Sequence, residues 1–298
     1  MSNLPRLIRW CLTSLIAALF ANATLLAAQT TIVVRHAGPD SARVDDNRNQ
    51  YYIALLSRAL SHSHKAYKVQ LTVRDIGSTR QLKMLDEGSL DIVWNAYSEA
   101  LNDHFTPIRV PLDKGLIGWR IFLINREDQP FFPAATTLDE LKKIPVGQVY
   151  YWHDTDILKY NGFNTQGTPS YEGTFKMLRL ERIRYFPRSI YEIWDEAKSH
   201  QELQLSIEKN LLLQYPVAYC FYVNKNNNIL AEDITSGLEI MIKNGEFDAL
   251  FEQYNRQYID KADLAHRKIF VLDNPYLPAD MKQKLNNMQF KLTTDKNH

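Results

Sequence analysis

One stretch, residues 90 to 127, constrains the fold more than any other part of the chain. It begins with the apolar run Ile92, Val93 and Trp94, crosses a polar turn, and ends in a long hydrophobic run, residues 116–125. Apolar runs separated by Pro and Gly predict buried strands joined by turns. The last run is long for a strand and precedes a charged, Pro-containing segment. We therefore interpret it as a crossover strand between two folded units.

Strand and helix patterns alternate on both sides of this stretch. Before it, the periodicity predicts strands at 31–36, 69–73 and 92–94, with helices at 51–60 and 79–86. After it, strands are predicted at 144–151, at 183–186, within 203–213 and at 217–223. The last of these is a second crossover strand. Helices are predicted to open at 137–140 and to lie at 155–160, 175–180, 190–197, 229–243 and 247–258. From residue 273 we expect an extended, fraying tail. Alternating strands and helices predict parallel sheets covered by helices.

The length of 298 residues exceeds the usual size of one domain, so we expect two lobes. The predicted fold class is α/β with two lobes, each a mainly parallel sheet flanked by helices, joined by two crossover strands. The predicted boundaries are a signal peptide at 1–28, a discontinuous first lobe at 29–125 and 223–298, and a second lobe at 126–222.

Residues 1–28 have the pattern of a secretory signal. Arg6 and Arg9 precede an apolar core, and small residues at 21–23 and 27–28 offer two cleavage sites. The alternative is a transmembrane anchor, but polar residues interrupt the apolar run and it is short for a span. We therefore expect export to the periplasm.

The net charge and the number of cysteines limit the classes of partner and the disulfides that the chain can have. Residues 1–28 contain two of the 35 basic residues and none of the 34 acidic ones, so the processed chain carries a net charge of −1. This balance gives no reason to expect nucleic acid as a partner. Of the two cysteines, Cys11 lies in the signal, so Cys220 alone remains and is expected to be a buried thiol. We expect a monomer.

The order of these elements resembles a known family. A short helix ending at Gly88, the run D-I-V-W at 91–94, a turn containing Phe105, Thr106 and Pro107, and the long strand after it are similar to the type-II periplasmic solute-binding proteins. The likeness is to the family-3 group, which includes amino-acid receptors of ABC transporters, and it spans roughly residues 30 to 260. It implies two lobes that close over a small ligand, with a membrane permease or a sensor protein as partner.

Arg188 is the main candidate for holding the ligand. It follows a predicted strand and precedes a helix that Ser189 caps, so its guanidinium and the helix N-terminus point to the inter-lobe cleft, where ligands bind in such folds. The alternative is a surface Arg188 paired with Glu192, one turn further on. If Arg188 is the anchor, Arg188→Ala weakens binding while leaving the fold intact.

The chain departs from the family in its charges. The resemblance implies a Ser or Thr followed closely by an Arg after the third strand, which binds an α-carboxylate. Here Tyr97 and Ser98 are followed by Glu99, and no Arg comes next. The resemblance also implies an Asp in the second lobe, where this chain has Arg188. We therefore expect a small polar or anionic ligand, with aromatic compounds included, rather than an ordinary amino acid.

Aromatic residues near the predicted cleft could stack on a planar solute, although packing in a core is the alternative for each of them. The further candidates for ligand binding are His36, Trp94, Trp119, Tyr150, Trp152 and Thr155.

Enzyme motifs are missing from the sequence. It contains no G-x-S-x-G, G-x-x-x-x-G-K, H-E-x-x-H or G-x-G-x-x-G pattern, so we predict no catalytic residue, no metal site and no cofactor. His62 and His64 are spaced like metal ligands but lack a third partner. His153 beside Asp154 is the best sign of acid–base chemistry. Two alternatives to a transport receptor stay open: a lyase- or dehydratase-like enzyme, and a sensory or interaction module without tight small-molecule binding.

Overall fold

The computed structural model describes residues 30–38, 47–74 and 76–291, except for the side chains of residues 47 and 48. The predicted signal peptide lies outside the described residues. Within them the chain forms twelve β-strands and ten α-helices, which assemble into two lobes. No helix in this part of the chain is both long and apolar enough to cross a membrane.

The first lobe contains two small sheets and the helices that pack on them. Its strands are β1 (Ile32–Ala37), β2 (Tyr67–Val73), β3 (Ile92–Ala96), β4 (Phe105–Ile108) and β11 (Tyr219–Asn224). Its helices are α1 (Asn47–Leu60), α2 (Ser78–Asp86), α3 (Glu99–Asn102), α8 (Asn228–Asn244), α9 (Glu246–Ala262) and α10 (Ala279–Met288). β1 and β2 are parallel, and β11 runs antiparallel between β3 and β4. The backbone N–H of Asp91 donates to Arg35 O, which joins β3 to β1.

Alternation along β3 creates two cores in the first lobe. Ile92 and Ala96 join a large core that includes α1 and α8, whereas Val93 joins a smaller core with residues of α2 and α10. Successive side chains of a strand point to opposite faces, so one strand supplies both layers. α8 also crosses α1 closely, since a Cβ on Gly237 would lie 2.0 Å from Ala59 O.

The second lobe is built around the long crossover strand. Its strands are β5 (Trp119–Asn125), β6 (Val146–Val149), β7 (Thr165–Thr168), β8 (Phe186–Ser189), β9 (Leu205–Ile207), β10 (Leu211–Gln214) and β12 (Lys268–Val271). Its helices are α4 (Leu138–Lys143), α5 (His153–Tyr160), α6 (Tyr171–Arg179) and α7 (Ile193–Ser199). All seven residues of β5 are buried. β5 runs antiparallel to β8, β9 and β10, while β6 and β7 are parallel.

The described strands form four hydrogen-bonded sheets: β1–β2 and β6–β7 are parallel, β3–β11–β4 is antiparallel, and the five-stranded sheet around β5 is mixed. The two-lobe α/β class holds, but the strands within the lobes are not mainly parallel. The cause lies in the crossover strands: β5 enters the second lobe, and β11 re-enters the first, against the direction of their neighbours. The lobe boundaries expected at residues 125/126 and 222/223 stay a prediction. A Cβ on Gly118 would lie 2.0 Å from Tyr215 O, so the two crossing segments are in close contact.

The C-terminal region is ordered, and the prediction of an extended, fraying tail was wrong for its main part. β12 pairs in parallel with β10 of the second lobe, and α10 then packs on the first. Met281 and Leu285 lie one helical turn apart and are both fully buried. This short amphipathic spacing, in a segment otherwise rich in polar residues, was too weak a signal to identify from sequence.

Candidate functional site

The two lobes touch each other at several places among the described residues. The hydroxyl of Tyr52, on α1 of the first lobe, lies 3.4 Å from the hydroxyl of Tyr191, which follows β8 in the second. Elsewhere a cavity of about 20 Å³ lies between Tyr97 of the first lobe and His153 of the second. Such a cavity holds about one water molecule. The lobes therefore meet closely here, and a solute can pass between them only when they separate.

The first lobe brings a group of rings to this contact, which we name the aromatic edge: His36, Tyr52, Trp94 and Tyr219. The Trp94 ring lies 5.8 Å from His36 and 5.7 Å from Tyr52, and Tyr52 stacks on Tyr219 at 5.9 Å. Trp94 Nε1 donates a 3.0 Å hydrogen bond to Asn49 Oδ1. Rings at these distances pack favourably and offer flat apolar faces to a planar group.

His36 adds no charge to the aromatic edge. Its side chain is buried, and Nδ1 lies 2.9 Å from the carbonyl oxygen of Ala37. Burial lowers the pKa of His36, and the contact with Ala37 offsets this only in part. His36 is therefore neutral at pH 7.

The second lobe brings charge to the contact, and we name this set the charged edge: Arg120, Asp154, Arg188, Glu192 and Glu196. None of the five side chains is more than 15% exposed. They come from β5, α5, β8 and the start of α7, which the sheet gathers at one end. His153 precedes Asp154 and Tyr191 precedes Glu192 in the sequence, and both neighbours meet the first lobe.

Arg188 is held from several sides within its own lobe. Its Nε and Nη2 each donate a 2.6 Å bond to one oxygen of Glu196, and Nη2 also lies 3.0 Å from Glu192. The guanidinium stacks over Trp152 at 4.9 Å. Burial acts to lower the pKa of Arg188, but the two carboxylates outweigh it and the pKa is raised. Arg188 does pair with Glu192, as one interpretation of the sequence held, but in the interior rather than on the surface.

Arg120 is bonded less completely. Its Nη2 lies 2.6 Å from Asp154 Oδ1, and its Nη1 lies 3.5 Å from Glu192. The Tyr215 hydroxyl also donates to Asp154 Oδ1. Burial acts to lower the pKa of Arg120, yet Asp154, Tyr215 and Glu192 raise it overall. Among the residues that the structure describes, nothing accepts a hydrogen bond from the buried Nε of Arg120.

Asp113 connects the crossing segment to the second lobe. Its carboxylate accepts a 3.1 Å bond from the Tyr191 hydroxyl and bonds of 3.1 Å from the N–H groups of Gly115 and Ile117. Burial raises the pKa of Asp113 to about 6, and these hydrogen bonds offset only part of the rise. The contact between the lobes thus includes a carboxyl group that changes charge under mildly acidic conditions.

The other predicted residues lie in three kinds of place. Tyr97 and Ser98 follow β3 at the lobe contact, where Tyr97 is buried and the Ser98 N–H donates to the Tyr222 hydroxyl at 3.1 Å. Tyr150 is 61% exposed at the rim of the second lobe. Trp119 and Thr155 are buried inside the protein. Trp119 packs edge-on against Phe290 at 5.7 Å, and Thr155 donates a 2.7 Å bond to Val149 O.

Sequence reasoning overlooked several residues of the contact: Tyr52, Tyr191, Tyr219 and Glu196. It considered Glu192 only as the partner of a surface Arg188. Glu192 and Glu196 lie four residues apart, a spacing that puts both on one side of a helix. Arg120 and Asp154 are far apart in sequence, and only the sheet brings them together.

Acid–base chemistry finds little support in the geometry. Asp154 is bonded to Arg120 and Tyr215, and the structure shows no hydrogen bond between it and His153. Within the described ranges, no group of three or more His, Cys, Asp or Glu side chains could hold a metal ion. The single described cysteine, Cys220, is fully buried, as predicted.

Comparison with known proteins identifies the architecture. No family model matches the chain, and no curated protein sequence matches it. Among solved structures, the probable amino-acid ABC transporter extracellular-binding protein ytmK from Bacillus subtilis matches with a TM-score of 0.56 and 16% identity, covering 76% of this chain and 98% of that one. An ancestral arginine-binding protein bound to arginine matches with a TM-score of 0.51 and 17% identity, covering 74% and 97%.

A mutant of ArgBP from T. maritima gives a similar result, with a TM-score of 0.50 and 18% identity over 75% of this chain and 95% of that one. Identities this low show the fold alone. The chain has the two-lobe α/β architecture of periplasmic binding proteins, and the resemblance seen in the sequence is confirmed at that level.

Proposed function

We propose that this chain is an exported solute-binding protein that acts in the periplasm and closes its lobes over a small polar or anionic ligand, aromatic compounds included. The observation that carries the proposal is the contact between Tyr52 and Tyr191, which joins the lobe that holds the aromatic edge to the lobe that holds the charged edge. Buried charges are costly to a fold unless they are paired or used. Buried charges in one lobe and a surface of rings in the other suit a ligand that has both polar and apolar parts.

Binding requires the lobes to open first, since the space now between Tyr97 and His153 fits about one water molecule. A solute that contacts both edges binds the closed form better than the open form and so shifts the population towards closure. We propose that a membrane permease or a sensor protein recognises this closed form, for uptake or for sensing.

The predicted residues take different parts in this proposal. His36 and Trp94 provide the apolar wall of the first lobe, and Trp152 provides a ring beside the charged edge. Tyr97, Ser98 and Tyr150 border the entrance. Arg188, Trp119 and Thr155 support the site without touching the ligand, because each is buried and makes its contacts inside the protein. Arg188 in particular fixes the position of Trp152 by stacking on it.

A thermal-shift screen of residues 29–298 tests the proposal. The compounds are amino acids, dicarboxylates, aromatic acids, sugars and small peptides. A ligand at a hundred times its Kd stabilises the folded chain by about 2.7 kcal/mol, which such a screen detects. We expect at least one class to raise the unfolding temperature. If none of these classes does so at millimolar concentration, the proposal is contradicted.

One observation favours a second candidate, a sensory or interaction module with the same fold but no tight solute binding. Tyr52 and Tyr191 already touch across the cleft, and the neighbouring cavity is very small. A chain that rests closed without ligand could bind a partner directly. This candidate would be favoured if the protein bound a membrane partner without added ligand and if no compound in the screen changed that binding.

A further inference from the structure

We propose that residues 272–278 form a strap that latches the two lobes together, fixed to the first lobe and released from Asn161 of the second whenever the lobes separate. This inference goes beyond the proposed function, because it concerns how the lobes open and does not depend on whether a solute binds. It gives the C-terminal region a part in the motion of the lobes.

The strap belongs to an excursion that the chain makes near its C-terminal end. After α9 in the first lobe, the chain adds β12 to the sheet of the second lobe, and the strap then leads back to α10 in the first. The strap therefore joins the lobes in addition to β5 and β11. A segment of this length spans at most about 25 Å when fully extended, so it limits how far its two ends can move apart.

The strap has little freedom to bend. Pro275 and Pro278 fix two of its φ angles. Asn274 is buried, and its Nδ2 donates a 2.8 Å bond to Pro216 O in the segment between β10 and β11. Asn274 Oδ1 in turn accepts a 3.0 Å bond from the N–H of Tyr276. Few torsions are left with which the strap could follow an opening motion, so one of its ends has to detach.

The end of the strap at the first lobe is fixed by apolar burial. Leu277 is buried, and Met281 and Leu285 of α10 are fully buried in the same core as Val93 and Tyr97. Detachment at this end would expose three large apolar side chains to water, which strongly opposes it.

The end of the strap at the second lobe is held by polar contacts near the surface. Asn161, which follows α5, bonds the backbone of Asp273 in both directions. Its Nδ2 donates to Asp273 O at 2.8 Å, and its Oδ1 accepts from the Asp273 N–H at 3.2 Å. The exposed rings of Tyr160 and Tyr276 lie beside these bonds, with their centroids 6.5 Å apart. Water replaces exposed hydrogen bonds with little change in free energy, so this end detaches more easily than the other.

An ion pair keeps the released end with the first lobe. Lys282 Nζ of α10 lies 3.0 Å from Asp273 Oδ1, so Asp273 is tied to α10 by its side chain and to Asn161 by its backbone. Loss of the backbone bonds leaves the strap attached to α10.

The other crossing of the excursion, residues 263–267, is held by a buried side chain. Arg267 Nε donates a 2.7 Å bond to Ala262 O at the end of α9, and its Nη1 donates to Glu208 O and Leu211 O in the second lobe. The Arg267 side chain is only 6% exposed. This contrast favours the strap, rather than the other crossing, as the place of release.

The strap also lies against the contact between the lobes. Asn274, Tyr276 and Leu277 line the small cavity between Tyr97 and His153. Release from Asn161 therefore frees the lobes at this side of the contact.

Distances between nitroxide labels, measured without any solute, test the latch. The labels are attached at Lys159→Cys on α5 and at Ala279→Cys on α10, exposed positions in the two lobes on either side of the strap, in a chain that starts at residue 29. Asn161→Ala removes both bonds to Asp273. We expect it to raise the ratio of long to short label distances about fivefold, which corresponds to about 1 kcal/mol for the lost bonds.

Two controls accompany this variant. Asn164→Ala removes an asparagine whose side chain bonds Lys143 O and Gln166, both in the second lobe, and should leave the ratio unchanged. Labels at Lys83→Cys and Ala279→Cys, both in the first lobe, should give one narrow set of distances in every chain.

Hydrogen exchange in the unaltered chain tests the release point in a second way, which also serves if Asn161→Ala does not fold. The N–H of Leu272 donates to Gln214 O within the second lobe, whereas the N–H of Asp273 donates to Asn161 across the latch. Release of the strap frees the second of these groups and not the first. We therefore expect the Asp273 N–H, relative to its intrinsic rate, to exchange at least about tenfold faster than that of Leu272.

The results are separable from those of the solute screen, because no solute is present. An unchanged ratio in folded Asn161→Ala, or exchange of Asp273 as slow as that of Leu272, would overturn the latch and leave the proposed function to the screen. Distances that broadened between Lys83 and Ala279 would also overturn it, since the end at the first lobe would then be the one that moves. The expected distances and exchange rates together with a silent screen would support the latch and contradict the proposed function.

Discussion

The first lobe meets the second with rings, whereas the second lobe meets the first with ions. Strands and helices contribute residues to both edges, so the two edges differ mainly in their side chains. Ring packing and hydrogen bonds, among them the bond from Trp94 to Asn49, hold the aromatic edge in place. The charged edge is held by ion pairs among buried groups. We infer that one lobe contributes contact area and the other contributes charge recognition.

The largest effect should come from breaking the charged edge. Arg188→Ala leaves Glu196 buried without its bidentate partner, so we expect the free energy of unfolding to fall by about 3 kcal/mol or more. The sequence alone led us to expect an intact fold after this change, and the pairing with Glu196 reverses that expectation. Urea unfolding followed by circular dichroism measures it.

Arg256→Ala is the control for this prediction. Arg256 pairs with Asp260 but is 64% exposed, so its loss should change stability by less than about 0.5 kcal/mol. Equal effects of the two alanine substitutions would mean that the charged edge is no more than a set of surface ion pairs.

A smaller effect is expected from the carboxyl group of Asp113, which accepts a bond from Tyr191 where the lobes meet. The folded pKa of Asp113, about 6, lies above the ordinary value of 3.8. The folded chain therefore binds more protons than the unfolded chain between these values, and raising the pH through this window lowers the free energy of unfolding. We expect Asp113→Asn to remove a loss of about 2 kcal/mol that the unaltered chain shows between pH 4 and pH 7.

Unfolding in urea at pH 4, 5, 6 and 7 measures this difference between the two proteins. A constant difference across the series would show that Asp113 has no raised pKa. If the unaltered chain instead gained stability relative to Asp113→Asn as the pH rose, the folded chain would stabilise the ionised form of Asp113.

The smallest effect is expected at the aromatic edge. Trp94→Phe keeps a ring against Tyr52 but removes the Nε1 donor to Asn49, so stability should fall by about 1 kcal/mol, with no change between low and high salt. The same urea experiment at 0.05 and 0.5 M NaCl tests this. A loss as large as that of Arg188→Ala would remove the contrast between the two edges.

The sequence predicted the order of elements well where periodicity was strong. β1 to β3, α1, α2, α8 and α9 appear close to their predicted positions because their apolar spacing matches one period throughout. β7 was missed, since its sequence T-Q-G-T has no apolar alternation, and it exists because β6 offers it a partner. β8 begins at Phe186 and continues through Pro187, which the sequence had suggested as its end. Pairing with β5 supersedes that local signal.

The site was harder to predict than the fold. The residue type and position of Arg188 indicated a charged centre, and the structure shows one there. Glu196 reaches Arg188 because of the position of α7 in the folded lobe. A short-range sequence pattern does not predict that position, so it could not show whether Arg188 pairs with Glu196 or with a solute. The meeting of Arg120 with Asp154 depends on the order of strands in the sheet and therefore has no sequence signature.

The central claim is that solute binding shifts the protein to the form in which the two lobes are closed. Measuring the distance between the lobes tests it. Nitroxide labels are attached at Lys83→Cys on α2 and at Lys176→Cys on α6, in a chain that starts at residue 29. Electron spin resonance then measures the distance between the two labels, one in each lobe. The natural thiol of Cys220 does not interfere, because it is fully buried and burial raises its pKa. We predict a broad set of distances without solute and one narrow set when the strongest compound from the screen saturates the protein. An unchanged set of distances with that compound bound would contradict closure.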